Sequence, residues 1–244
     1  MKNAVTDITH RIAKRAGKAI NDYQMIGSGD RVLVAVSGGK DSLTLLTVLR
    51  ERKKWVPIDY SLLAVYIESD YDREASKHRK VIEGFLREND YQYRIDKISL
   101  KTDEANNDEI NCFWCSWNRR KRLFQMAEEY NCNKLAMGHH RDDVVQTMLL
   151  NLFYQGEIST MPPQVTMFGG KLSIVRPLVY IDEKDISQFA RERRFPVTKE
   201  KCPRSITSQR ARIKEILAML EKECPQIKNN IFGSMKRIKK DYLV

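Results

Sequence analysis

Two hydrophobic rhythms alternate along this chain. From Thr6 to Tyr23, Ile8, Ile12, Ala16 and Ile20 return at helical spacing while Arg11, Lys14, Arg15 and Lys18 share another face, which predicts an amphipathic helix. Gly27-Ser28-Gly29-Asp30 then turns the chain into Val32-Leu33-Val34-Ala35-Val36, a continuous apolar run that reads as a buried parallel strand. A helix follows from Ser42 through Leu49. Further strands are predicted at Ser61–Ile67, Tyr91–Ile98, Lys134–Met137 and near Leu172–Val175. Helices are predicted near Glu74–Glu88, from about Trp117 to Tyr130, and over Asp142–Phe153 and Glu183–Arg194, with the polar stretch Lys101–Asn111 as a loop. Alternating strands and helices imply an α/β fold: a mostly parallel sheet with helices on both faces and a ligand site at the carboxyl ends of the strands. After Pro196 the pattern is helical only, roughly Ser208–Glu223 and Lys228–Lys240. The expected organisation is an α/β domain over residues 1–195, opened by a basic helix, and a C-terminal helical extension over 196–244.

Composition narrows the class. A chain of 244 residues can bury a full core as one large domain, and 42% hydrophobic with 31% charged residues is ordinary for a soluble globular protein. No apolar stretch approaches the roughly 20 residues that span a bilayer, and the N-terminus lacks the apolar core of a signal peptide. A cytoplasmic protein without membrane partners is expected. The net charge of +11 calls for a polyanionic partner, more than a nucleotide alone would require. The five cysteines are Cys112, Cys115, Cys132, Cys202 and Cys224; an odd count in a reducing compartment argues for metal ligation or catalysis over a disulfide framework.

The apolar run ends in Ser37-Gly38-Gly39-Lys40-Asp41-Ser42. Strand, Gly-Gly turn and helix N-terminus together make an anion site, because glycine lets the backbone approach a ligand and the first-turn N–H groups point at it. The spacing is not that of a Walker loop, and Asp41 stands where that loop has its lysine. A carboxylate beside a phosphate needs a cation between them, so a nucleotide with Mg²⁺ is implied. The plainer alternative is a glycine-rich βα turn with a capping serine. The string resembles the PP-loop (Ser-Gly-Gly-x-Asp-Ser) of the ATP pyrophosphatases, whose fold is adenine nucleotide alpha-hydrolase-like. That resemblance implies ATP cleavage between the α and β phosphates and adenylation of a carbonyl oxygen.

Cys112-Phe113-Trp114-Cys115 has the separation used by metal and cluster sites, and Cys202 stands in the polar stretch Lys201-Cys202-Pro203-Arg204-Ser205. Two buried structural cysteines remain the alternative for the pair. Three thiolates leave a structural zinc site one ligand short, whereas a [4Fe–4S] cluster held by three would keep one iron open.

Further along come Gly138-His139-His140-Arg141-Asp142-Asp143, Leu150-Asn151-Leu152-Phe153-Tyr154, Met161-Pro162-Pro163, Arg176-Pro177-Leu178 and Glu183-Lys184-Asp185-Ile186. With the PP-loop and the three cysteines, nearly the whole chain resembles the tRNA 2-thiocytidine synthetase (TtcA) family, in order. The resemblance implies that Cys112, Cys115 and Cys202 hold a [4Fe–4S] cluster. It also implies adenylation of the C2 carbonyl of a cytidine in the tRNA anticodon loop and replacement of its oxygen by sulfur, with a cysteine desulfurase or free sulfide as donor and a homodimer as the working unit. An ATP-binding set of Ala35, Ser37, Gly38, Gly39, Asp41, Ser42 and Gly138 is expected, with Asp41 holding Mg²⁺ and Asp142 or Asp143 binding metal or positioning the base. Two acids at a helix start also serve as plain caps, and His139 and His140 are either site residues or hydrogen-bonded structural histidines. Lys14, Arg15, Lys18, Arg119, Arg120, Arg122, Arg204 and Arg210 are candidates for the RNA surface, with Trp114 and Trp117 as stacking residues. Cys132 and Cys224 are expected as free thiols. Three alternatives remain: thiolation of another nucleotide, a zinc-containing PP-loop ligase using ammonia, and a non-catalytic RNA-binding protein.

Overall fold

The computed structural model describes residues 3–70, 74–99, 112–198 and 209–242, with side chains at all of these except 3–6, 112, 113, 115 and 240. The chain runs α1 (Asn3–Asp22), β1 (Arg31–Val36), α2 (Lys40–Arg52), β2 (Ser61–Ser69), α3 (Ala75–Glu88), β3 (Tyr93–Ile98), α4 (Cys112–Glu129) and β4 (Lys134–Ala136). It continues through α5 (Arg141–Leu150), β5 (Gln164–Met167), β6 (Leu172–Val175), α6 (Glu183–Glu192), α7 (Gln209–Glu223) and α8 (Ile227–Ser234). The six strands form one sheet in the order β3-β2-β1-β4-β6-β5. All neighbours are parallel except β5, which pairs antiparallel with β6 at the edge. The strand order reverses between β1 and β4, and such a switch point opens a crevice at the carboxyl ends of the strands.

Alternation along the strands divides the core. Val32, Val34 and Val36 of β1, Ala64 and Tyr66 of β2, Ala136 of β4 and Val175 of β6 face a cluster built with Ile8, Ile12, Leu43, Leu46, Ile82, Leu86 and Phe189 of α1, α2, α3 and α6. The intervening Leu33, Val65, Ile67, Leu135 and Ile174 face Leu123, Met126 and Ala127 of α4. Both faces are thus covered, which is why β1 reads as an unbroken apolar run. The C-terminal helices make a third cluster in which Ile213 and Leu217 of α7 pack on Val145 and Leu149 of α5.

Several boundaries differ from the sequence-based expectation. Helix α4 starts at Cys112 rather than near Trp117, so the Cys-x-x-Cys pair occupies its first turn; no Gly or Pro separates it from the rest of the helix. Helix α5 passes into a π-helical turn at Asn151–Gln155 that ends at Gly156, φ 67°. The short edge strand β5, between Pro162-Pro163 and Gly169-Gly170, was not anticipated. The last predicted helix stops at Ser234, just past Gly233, and only Lys240–Tyr242 resumes as a 3₁₀ turn.

Candidate functional site

The PP-loop connects β1 to α2 across the switch point. Gly38 has φ 81°, a conformation that side chains rarely adopt. Gly39 is extended (φ −77°, ψ 157°) and caps α2 without a side-chain hydrogen bond, so the first-turn N–H groups of the helix are left for a ligand. The loop is braced from inside. Ser42 Oγ donates to the Gly39 carbonyl at 2.9 Å and accepts from the Ser37 N–H at 3.1 Å, and the Gly39 N–H donates to Ser37 Oγ at 3.3 Å. From the neighbouring strand, Gly138 lies so close that a Cβ there would stand 3.1 Å from the Asp41 and Ser42 backbone. From the C-terminal side, the Thr198 N–H donates to the Gly38 carbonyl at 3.0 Å.

These pieces surround a cleft of about 430 Å³, within the usual range for small-molecule sites. One wall is apolar: Val65, Ile67, Leu123 and Met137. The other brings Ala35, Ser37, Asp41, Ser42, Gly138, His139 and Asp143 together with Arg119 and Arg120 of α4 and Arg210 of α7. Glycines Gly38 and Gly39 complete the loop beside it. A larger groove of about 910 Å³ lies between α1, α6 and α8. Many of its charges are paired: Arg15 with Asp182 and Asp185 at 3.2 and 3.0 Å, Arg11 with Asp185 at 3.2 Å, Arg141 with Asp182, and Lys228 with Asp142 and Glu221 at 3.0 and 2.8 Å.

The structure separates the two adjacent acids. Asp143 lines the cleft, where Arg210 reaches it at 3.2 Å and its other oxygen accepts the His140 N–H at 3.0 Å. Asp142 is buried on the opposite side, accepting the Glu183 N–H at 2.8 Å and pairing with Lys228. Burial pushes the Asp142 pKa up, but the Glu183 N–H and the Lys228 ammonium outweigh it and hold the carboxyl below its usual range. His140 Nε2 sits 3.8 Å from Asp41 and 3.4 Å from Asp143, while its Nδ1 is buried without a hydrogen bond. Lys40 approaches Asp41 Oδ1 at 3.0 Å and Glu183 at 3.3 Å, yet that Asp41 oxygen is buried with no aligned hydrogen-bond donor. His139 Nδ1 accepts from Arg176 Nε at 3.3 Å. Burial, reinforced by the nearby guanidinia, lowers the His139 pKa to about 4 against the pull of Asp143.

Helix α4 places the cysteine positions relative to this cleft. Ser116, Arg119, Arg120 and Leu123 line it, and positions 112 and 115 fall on the same side by the i, i+3, i+4, i+7 repeat. Trp114 and Trp117 fall on the far side of α4 from these cleft residues and are about half exposed (53% and 48%). Cys202 and Arg204 lie outside the described residues. The described residues that bracket them, Thr198 and Arg210, each touch the site, one at Gly38 and one at Asp143. Cys132 is buried and Cys224 half-buried, both free thiols.

The basic candidates divide. Arg119, Arg120 and Arg210 reach the cleft. Arg122 points away, pairing with Asp96 and, at 2.6 Å, with Glu129. On α1, Arg15 serves the α6 ion pairs, Lys18 pairs with Asp22 at 3.0 Å, and Lys14 is exposed. Sequence reasoning missed Thr198 and any role for Arg176, because both act through contacts remote in sequence. The signals for Arg176 were its place just after a strand and its motif Arg176-Pro177-Leu178.

The PP-loop domain family (ATP_bind_3) matches residues 8–220. The tRNA-cytidine(32) 2-sulfurtransferase of Geotalea uraniireducens is 40% identical over 239 residues, covering 96% of this chain and 94% of the relative. The enzyme of the same name from Ralstonia nicotianae is 36% identical, covering 96% and 75%. Among solved structures, the U34-tRNA thiolase NcsA from Methanococcus maripaludis with its [4Fe–4S] cluster superposes with a TM-score of 0.78 over 94% of this chain and 78% of that one. At 24% identity this likeness speaks for the fold.

Proposed function

We infer the activity from one premise: the chain belongs to the PP-loop family of tRNA-cytidine(32) 2-sulfurtransferases. It is an ATP-dependent tRNA thiolation enzyme, and its substrate is a cytidine of the anticodon loop whose C2 oxygen is exchanged for sulfur. The observation that carries this reading is the cleft itself, where a PP-loop meets a wall of α4 and α7 carrying Arg119, Arg120 and Arg210 at one sheet switch point.

Ser37, Ser42 and the loop N–H groups bind the β and γ phosphates, and Arg119, Arg120 and Arg210 offset the charge of ATP and RNA. The apolar wall takes the adenine. The base oxygen attacks the α-phosphorus, the α–β phosphoanhydride bond breaks, and pyrophosphate departs into the PP-loop with the bonding pair. The resulting O-adenylate makes AMP the leaving group when sulfur attacks the same carbon.

Magnesium fits Asp41, whose buried Oδ1 lacks a hydrogen bond, with Asp143 as a second carboxylate across His140. Among the described residues no three acidic, His or Cys side chains form a cage, and Mg²⁺ needs none, since one or two carboxylates plus substrate phosphates suffice. A [4Fe–4S] cluster fits positions 112 and 115, one helical turn apart on the cleft side of α4. Cys202 is the proposed third ligand; the described residues that bracket it, Thr198 and Arg210, each touch the site. When bound, the cluster supplies an iron without a protein thiolate at which sulfur is delivered. A cysteine desulfurase or free sulfide is the source.

The setting is the cytoplasm, where tRNA and sulfide carriers are available; no helix among the described residues is long and apolar enough to cross a membrane. The exposed Leu152, Phe153, Tyr154 and Ile158 offer the apolar surface a homodimer contact needs. The test is the iron, acid-labile sulfide and zinc content of protein purified without oxygen. About four irons and four sulfides per chain, as in a cubane cluster, support the assignment. Stoichiometric zinc without sulfide would move the chain to ammonia-dependent ligation.

A further inference from the structure

Two groups have no role in the adenylation above: His139, which lines the cleft, and Arg176, which bonds to it. Arg176 stands immediately after β6 and is only 8% exposed. Buried arginines are normally paired with carboxylates, yet among the described residues none lies within ion-pair distance of this one. Its Nε donates to His139 Nδ1 at 3.3 Å, its Nη1 to the Pro162 carbonyl, and its backbone N–H to the Pro163 carbonyl at 2.9 Å. Burial and the neighbouring Arg120 press its pKa down only to about 10, so it remains a cation and a donor at neutral pH.

A guanidinium N–H aimed at Nδ1 requires a lone pair there. The ring proton then belongs on Nε2, and a second proton on Nδ1 would set one N–H against another. The ring lies at the polar end of the cleft with Asp143, Arg120 and Arg210. With the terminal phosphates assigned to the PP-loop and the adenine to the apolar wall, the phosphorus that changes partners falls between them, in the cleft that His139 lines.

We propose that Arg176 locks His139 as the neutral Nε2–H tautomer, and that this N–H is a fixed hydrogen-bond donor to an α-phosphate oxygen of bound ATP. The inference rests on the ATP-dependent adenylation argued above. Negative charge is redistributed over the α-phosphate oxygens as the acceptor attacks, and a donor already oriented in a partly desolvated site stabilises it without reorganising. No proton changes hands at His139, because a neutral imidazole held this way is a poor acid and its basic nitrogen is occupied. His139 is the substrate-contacting residue. Arg176 is the positioning residue.

The experiment uses the full-length holoenzyme with ¹⁵N-labelled histidine, His139→Phe assigning the signal. The tautomer at about pH 7 is read from the ring ¹⁵N shifts, with and without α,β-methylene-ATP. The same samples give kcat and KM for tRNA-dependent AMP release. The expected result is a bare Nδ1, a protonated Nε2, and an Nε2 shift that moves when the analogue binds. His139→Phe should lower kcat about 100-fold, the scale of losing one preorganised donor. His139→Gln, which can return an N–H to the Nε2 position, should recover much of it. Arg176→Lys should mix the tautomers and lower kcat more than it changes KM for ATP. An Nδ1–H or doubly protonated ring, an Nε2 shift indifferent to the analogue, or wild-type kcat in His139→Phe would each overturn the proposal. Should Arg176→Lys fail to fold, the wild-type spectrum still decides the tautomer. Should the wild type release no AMP with tRNA, the adenylation reading fails, while the tautomer and the analogue-induced shift still report on His139.

Discussion

Gly38→Ala probes the PP-loop through two separable costs. At φ 81° an alanine pays roughly 1–2 kcal/mol in backbone strain. Its Cβ would stand 2.1 Å from Thr198 Oγ1 and 3.3 Å from Ile82 Cγ1 and Cδ1, and such overpacking costs about 1–3 kcal/mol. The sum is roughly 2–5 kcal/mol, or a fall in Tm of about 4–20 °C at about 2–4 °C per kcal/mol for a chain of this size. If the loop escapes the clash by moving, the loss appears in ATP affinity instead. Thr198→Ala removes the obstructing oxygen and keeps the backbone bond to Gly38, so the double variant should regain the steric part and leave the strain. Thermal denaturation and calorimetric ATP titration of the four proteins close the cycle. A Gly38→Ala protein with both unchanged Tm and unchanged ATP affinity would refute the loop geometry. A double variant that recovers nothing would refute the Thr198 contact.

The acid pair should respond differently to amidation. Asp143→Asn is expected to abolish AMP release with little change in Tm, whereas Asp142→Asn breaks a buried pair and costs about 3 kcal/mol in denaturant unfolding. The Asp142 carboxyl titrates below its ordinary 3.8 in the fold, so its contribution is present above about pH 4 and fades as pH falls through the folded value; Asp142→Asn should flatten that acid limb. His139 titrates near 4 when folded against 6.5 when unfolded, so stability should fall as pH drops from about 6.5 to about 4, by up to about 3 kcal/mol, and His139→Gln should remove that slope. Cys202→Ala should lose thiolation while keeping ATP affinity in calorimetry. A variant that still thiolates tRNA normally would dismiss the three-thiolate arrangement.

Much of the fold was legible because β1 is buried on both faces and says so in five consecutive apolar residues. The PP-loop was legible because its glycines answer local needs, a positive φ at Gly38 and an uncapped helix start at Gly39. The start of α4 was not, since Cys112–Ser116 is as compatible with a loop as with a first turn. Strand β5 is four residues long and earns its ladder only by pairing with β6. Asp142 and Asp143 are equivalent in sequence, and only the positions of Lys228 and Arg210 assign them to opposite sides. Basic residues are the hardest to read: Arg120 and Arg122 are two positions apart, yet one faces the cleft and the other Asp96 and Glu129.

The activity inferred for this chain is sulfur transfer to a tRNA cytidine driven by ATP. Nucleoside mass spectrometry of unmodified tRNA, after incubation of the cluster-loaded protein with Mg·ATP and sulfide, tests it most directly. 2-Thiocytidine should form in step with AMP and pyrophosphate, and none should form without ATP. TRNA recovered unthiolated, or a thiolated uridine in place of cytidine, would contradict it.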